Sequence, residues 1–203
     1  MIKTKAQTVS NAPVRLAVAG LTHDHIAFLF GRKNKTDITL VGIYEPNTEL
    51  ARRYAKKYSF DTSLLYTNLD KMLDAVKPEA VVAFGSIYEH MAVVEACAPR
   101  HIHVMVEKPL ATNIQHAEKM EALAKQYNIY LLTDFETSWY PTTAKAYQLI
   151  NDSNYVGNIK KVVIHDGHQG PKEIGCTKEF FELVNRPCTK WRWSIGRLWL
   201  LWG

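Results

Sequence analysis

Glu107, Lys108 and Pro109 stand together at the end of a short apolar run, Val104 to Val106. A carboxylate beside an amine supplies an acid and a base at one point, the equipment for moving a proton and holding a hydroxyl. The apolar run reads as a strand covered on both faces. Its C-terminal edge is where an open α/β sheet binds ligands. Pro109 stops the strand and either holds Lys108 extended or permits a cis bond. A lone Glu-Lys-Pro is otherwise a surface pair before a turn, so its meaning depends on the elements that position it.

Those elements alternate. Val14 to Ala19, Ile38 to Tyr44, Ala80 to Phe84, Ile102 to Val106 and Ile129 to Leu132 read as five strands. Helical stretches lie between them: from Ile26, Thr48 to Tyr58, Leu69 to Ala75 capped by Asn68, Met91 to Ala98, and one opening at Ala111 to Asn113 and reaching Tyr127. Strands alternating with helices specify an α/β fold, a Rossmann-type doubly wound parallel sheet with right-handed crossovers. The pattern changes after Asp134. Pro141 to Ile150 reads as a helix, and Ile159 to His165 as a strand outside the series. The expected organisation is a loose tail over 1–12, a dinucleotide-binding domain over 13–135, the start of an α+β second domain over 136–182, and a separate tail over 183–203.

Composition sets bounds. Of 203 residues 47% are hydrophobic and 22% charged, ordinary for a globular chain. The net charge is +5, but the lysines and arginines are scattered over helix faces, which argues against nucleic acid as a partner. No apolar run is long enough to cross a bilayer, and the start of the chain does not read as a signal peptide, so no membrane partner is expected. Three cysteines without CxxC spacing fit a reducing cytoplasm.

The turn Gly20 to His25, between the first strand and first helix, is placed to hold a dinucleotide pyrophosphate. The usual G-x-G-x-x-G spacing falls on Gly20, Thr22 and His25, so only the first glycine is present. Thr22 can hydrogen-bond a phosphate; His23 can face a phosphate or the substrate. Glu45 ends the second strand where a ribose-binding acid belongs. A carboxylate there accepts ribose hydroxyls and repels a 2′-phosphate, which favours NAD over NADP. The histidine pairs His23/His25, His101/His103 and His165/His168 invite a metal reading, but none joins a carboxylate at metal-ligand spacing, so no metal is expected.

With these pieces in order, Val14 to Gly170 resembles the Gfo/Idh/MocA family of NAD(P)-dependent oxidoreductases, chiefly through Glu107-Lys108-Pro109 followed by Leu110-Ala111-Thr112. The resemblance implies hydride transfer between NAD(P) and a hydroxyl of a sugar or polyol. It places Lys108 beside substrate and nicotinamide as the catalytic residue, and Glu107 near the carboxamide side. Partial desolvation near Glu107 would suit Lys108 to relay the hydroxyl proton. The cofactor-contacting set is then Gly20, Thr22, His23, Asp24 and His25 from the turn, Glu45, Ser86 and His90 from the following strands' loops, and Glu107, Lys108 and Pro109. Ile159 to His165 would open a mostly antiparallel second sheet. The chain departs from the family in its two missing glycines and in Gly85-Ser86-Ile87, where a proline is common.

Leu183 to Gly203 reads differently from everything before it. Four of the five tryptophans lie there, Trp191, Trp193, Trp199 and Trp202. Tryptophan's single codon, TGG, shifted by one base becomes a glycine codon. Allowed codons then give W-L-T-D-P-V-P-N-G-G-G-A-L-V-D-F-G-C-Y-G, which looks like the family's second-domain motif. The expectation is a frameshifted, truncated member with an incomplete substrate pocket and an unpaired sheet edge. Such a chain would bind dinucleotide weakly, self-associate as a homo-oligomer or aggregate, and catalyse nothing. The rival readings are a non-catalytic dinucleotide-binding sensor and an interaction module that uses the tryptophan tail.

Overall fold

The computed structural model describes residues 12–33, 36–152, 155, 157–163, 165 and 176–184. Six parallel strands form one sheet in the order β3-β2-β1-β4-β5-β6. They are β1 (Val14–Ala19), β2 (Ile38–Tyr44), β3 (Leu65–Tyr66), β4 (Ala80–Ala83), β5 (His103–Glu107) and β6 (Leu131–Asp134). This is the strand order of the Rossmann fold, which reverses direction between β1 and β4 and opens a crevice there. The doubly wound parallel sheet read from the sequence is therefore present.

Side chains alternate across the sheet with the period of a strand. Ala17, Ala19, Val81, Ala83, Val104 and Val106 pack under α3 (Leu69–Val76), α4 (His90–Cys97) and α5 (Ile114–Tyr127). Leu16, Val18, Ile43 and Val82 face α1 (Ile26–Phe30) and α2 (Thr48–Tyr58) on the other side. Asparagines start three of these helices. The Asn47 carboxamide oxygen accepts from the Glu49 and Leu50 amides, that of Asn68 from Lys71, and that of Asn113 from His116. Such caps satisfy amides that the first turn of a helix leaves unpaired.

Three differences from the sequence reading stand out. The sheet has a sixth strand, β3, only two residues long and too short to show periodicity. The last strand runs from Leu131 to Asp134, two residues later than read, because the Ile129 amide bonds back to the Ala124 carbonyl and closes α5. The described residues of Ile159 to His165 form no strand, and Ile159, Val162 and Val163 are exposed. A strand needs a hydrogen-bonding neighbour, and the described residues offer that segment none.

Beyond β6, α6 (Pro141–Tyr147) is α-helical and Gln148–Asp152 continues as a π-helical turn. The sheet face beyond α1 is open: Met105 pairs with Leu132 in register, and Leu132 is 52% exposed. α7 (Lys178–Val184) returns to the C-terminal edge of the sheet, where the Glu179 carboxylate meets Arg53 at 2.6 Å. The loose tail expected over 1–12 lies outside the described residues except Ala12. The tryptophan tail lies outside them from Asn185 onward.

Candidate active site at the sheet's C-terminal edge

The crevice is built from backbone first. Gly20 follows β1 with φ +86°, a conformation that side chains resist. A Cβ on Gly20 would stand 2.5 Å from the Gly85 nitrogen and 2.6 Å from its Cα. The turns after β1 and β4 thus touch through two glycines. The His23 amide donates to the Phe84 carbonyl at 2.9 Å, and the Thr22 hydroxyl to the same carbonyl at 3.3 Å. These bonds fix the turn but also occupy it. The amides of Leu21, His23 and His25 all donate within the protein, which leaves fewer for a phosphate.

Glu45 is buried at the end of β2. Its carboxylate accepts from the Leu21 amide at 2.9 Å and from the Asn47 amide at 2.9 Å, tying the glycine turn to β2. Burial pushes its pKa up, the two amides oppose this, and the Glu89 and Glu179 carboxylates push it further up. Each carboxylate oxygen has a second lone pair, so the group can still accept from a hydroxyl. Glu45 lines a cleft of about 200 Å³ with Gly20, Thr22, Gly85 and His90. Glu179 and Glu182 of α7 line it too and narrow it.

The second half of the site lies across the turn. Glu107, the last residue of β5, is 1% exposed. Its Oε2 lies 2.9 Å from His25 Nδ1 and 3.8 Å from His23 Nδ1. Burial alone would raise the Glu107 pKa. The hydrogen bond from His25 and the charges of His23, His25 and Lys108 outweigh it and leave it lowered. The bond to Glu107 raises His25. Burial takes His23 down to about 4, so that ring is neutral near pH 7. Lys108 is exposed at the rim and joined to Pro109 by a cis bond. The partial desolvation expected of Lys108 is therefore not found: Lys108 lies just past the end of β5, where it and Pro109 are both exposed.

The remaining predicted residues fall into two groups. Ser86 and His90 serve the local structure. The Ser86 amide and hydroxyl both donate to Glu89 Oε2 at 2.7 Å, closing a capping box over Ile87–Glu89. His90 is buried, its Nδ1 lies 3.2 Å from the Leu110 carbonyl oxygen, and burial lowers its pKa. It reaches the cleft wall while supporting the loop after Pro109. Asp24 is half-buried near the Cys176 thiol, which burial and the Asp24 carboxylate push up to about 12. Sequence reasoning missed Gly85, whose contact with Gly20 shapes the crevice. It also missed the meeting of His23 and His25 with Glu107. The signal was available, since both segments end strands on the same edge of the sheet.

Residues 14–135 match the Gfo/Idh/MocA family, described as an oxidoreductase family with an NAD-binding Rossmann fold. The chain belongs to this family. Among its relatives, the oxidoreductase YceM of Salmonella typhimurium is 32% identical over 53% of this chain and 34% of its own length. Glucose-6-phosphate 3-dehydrogenase of Bacillus subtilis is 23% identical over 74% of this chain and 40% of its own. The structure of scyllo-inositol dehydrogenase from Lactobacillus casei with bound NAD(H) and scyllo-inositol superposes with a TM-score of 0.62 at 18% identity. That superposition covers 72% of this chain and 43% of the other. The chain thus spans less than half the length of these Gfo/Idh/MocA relatives. No described helix is long and apolar enough to cross a membrane.

Proposed function

We propose that this chain carries the cofactor half of a dehydrogenase, which binds NAD in preference to NADP and acts on a hydroxyl of a sugar, polyol or related substrate. The observation that carries the reading is Glu45: a buried carboxylate at the end of β2, tied to the Gly20 turn, on the wall of the crevice between β1 and β4. The close Gly20–Gly85 approach keeps that wall free of side chains, which suits a ligand lying against backbone. Glu45 would accept the ribose hydroxyls, and its charge would repel a 2′-phosphate. Thr22 would meet the pyrophosphate by turning its hydroxyl away from the Phe84 carbonyl.

The cofactor, when bound, supplies the hydride acceptor. Lys108 would hold the substrate hydroxyl and relay its proton to solvent, with the buried Glu107 next to it as a fixed negative charge. Glu107 is itself oriented by His25. His90 would keep the loop carrying Lys108 and Pro109 in place through Leu110. The relatives named as dehydrogenases of glucose 6-phosphate and inositol support a polyhydroxylated substrate. Free Cys97 and Cys176 fit a cytoplasmic setting.

A second reading, a dinucleotide-binding sensor without turnover, draws on the exposed Lys108 and on the α7 carboxylates in the cleft. Titrating NADH into the chain and following energy transfer from tryptophan to the nicotinamide tests the shared claim of binding. Turnover across a panel of polyols with NAD then separates the two, because a sensor shows transfer and no turnover.

A further inference from the structure

We infer that His23, His25 and Glu107 form a binding site for one divalent transition-metal ion of the zinc class. One ligand atom from each residue lies within 4.8 Å of the other two. Tetrahedral zinc with bonds of about 2.0–2.1 Å sets its ligand atoms roughly 3.4 Å apart. The 2.9 Å and 3.8 Å separations from Glu107 Oε2 to the two imidazoles bracket that value. A bound ion would replace the His25–Glu107 hydrogen bond, releasing its proton to solvent, and the His25 amide's bond to His23 Nδ1.

A second observation points to a ligand. Glu107 Oε1 is buried and has no hydrogen-bond partner among the described residues. An acceptor left this way carries a desolvation cost that a bound cation would remove. The three side chains also stand on fixed supports. The His23 amide is bonded to Phe84, Glu107 pairs in register with Asp134, and His25 immediately precedes α1.

The donor set defines the ion. Two imidazoles and one carboxylate suit Zn²⁺, Co²⁺, Ni²⁺ or Fe²⁺. Mg²⁺ and Ca²⁺ take oxygen ligands in sets of six or more and are excluded by the two nitrogens. The imidazoles are 17% and 20% exposed, so the three ligands do not close the site and a fourth position is left to solvent. Three protein ligands with one open position is the pattern of a site that can take water or an oxygen ligand, not of a closed structural site.

The test is titration of the chelator-treated 203-residue chain with Co²⁺, reading the visible bands of four-coordinate cobalt, followed by displacement with Zn²⁺. One equivalent binds, excess Mg²⁺ does not compete, and His23→Ala, His25→Ala and Glu107→Gln each weaken binding at least about tenfold. His103→Ala, at the far end of β5, leaves it unchanged. Circular dichroism first identifies which variants fold, and any one folded variant of the three decides the outcome. No cobalt bands, or an affinity that all folded variants keep, overturns the site and leaves His25 and Glu107 as an ion pair only. NADH titrated in parallel reports on the dinucleotide reading separately, since the metal site stands or falls without it.

Discussion

Gly20→Ala tests whether the crevice is shaped by backbone contact. The new methyl group would meet the Gly85 nitrogen at 2.5 Å and its Cα at 2.6 Å, both backbone atoms that cannot swing aside. Holding an alanine at φ +86° costs roughly 1–2 kcal/mol, and forcing the two turns apart adds roughly 1–3 kcal/mol. The expected loss is about 2–5 kcal/mol in urea unfolding followed by circular dichroism. Gly157→Ala is the internal control. Gly157 also has positive φ, +62°, but nothing lies within 4 Å of its would-be Cβ. It keeps only the backbone cost, so the steric part appears as the difference between the two variants. Gly20→Ala should also weaken NADH binding, since it displaces the turn from Phe84. Equal losses in the two variants, within about 0.5 kcal/mol, would refute the reasoning.

Three further outcomes follow from the site. Lys108→Ala in a full-length enzyme carrying this domain should lower turnover by about 10²–10⁴ while NAD binding persists; steady-state kinetics showing a loss under about tenfold would count against its role. Glu45 has a folded-state pKa raised above its unfolded value. Its protonated form therefore favours folding, a contribution present below the unfolded pKa and lost as pH rises through the folded pKa. NADH affinity should run the other way, falling as pH drops through that raised pKa, and Glu45→Gln should flatten both profiles in calorimetry. Replacing Glu179 and Glu182 together by Gln removes two negative charges from the cleft wall and should tighten NADH binding by roughly threefold or more; weaker binding would instead make α7 part of the binding site.

Much of this architecture was legible because the strands repeat one local pattern. Leu16 and Val18 face one side and Ala17 and Ala19 the other, and the Glu45 and Glu107 positions follow from where such strands stop. What was not legible depended on distance in sequence. His25 and Glu107 lie 82 residues apart, and only the strand order brings their side chains to 2.9 Å. Gly85 reads as an ordinary loop glycine until Gly20 is placed against it. Leu65 and Tyr66 form a strand only because β2 offers Ile43 and Tyr44 as partners. Ile159 to His165 shows the converse: it has the residues of a strand, yet among the described residues it has no neighbour to pair with. The two amides on Glu45 make it a clamp on the glycine turn, in addition to the ribose-binding role proposed for it, and its position alone did not reveal the clamp.

The most direct test of the central claim is parallel calorimetric titration of NADH and NADPH into the 203-residue chain. The account predicts one NADH per chain and an affinity for NADPH lower by at least about tenfold, because a carboxylate proposed to bind the ribose would repel a 2′-phosphate. Binding of neither nucleotide would contradict the claim that this crevice is a dinucleotide site, and equal binding of both would contradict the role assigned to Glu45.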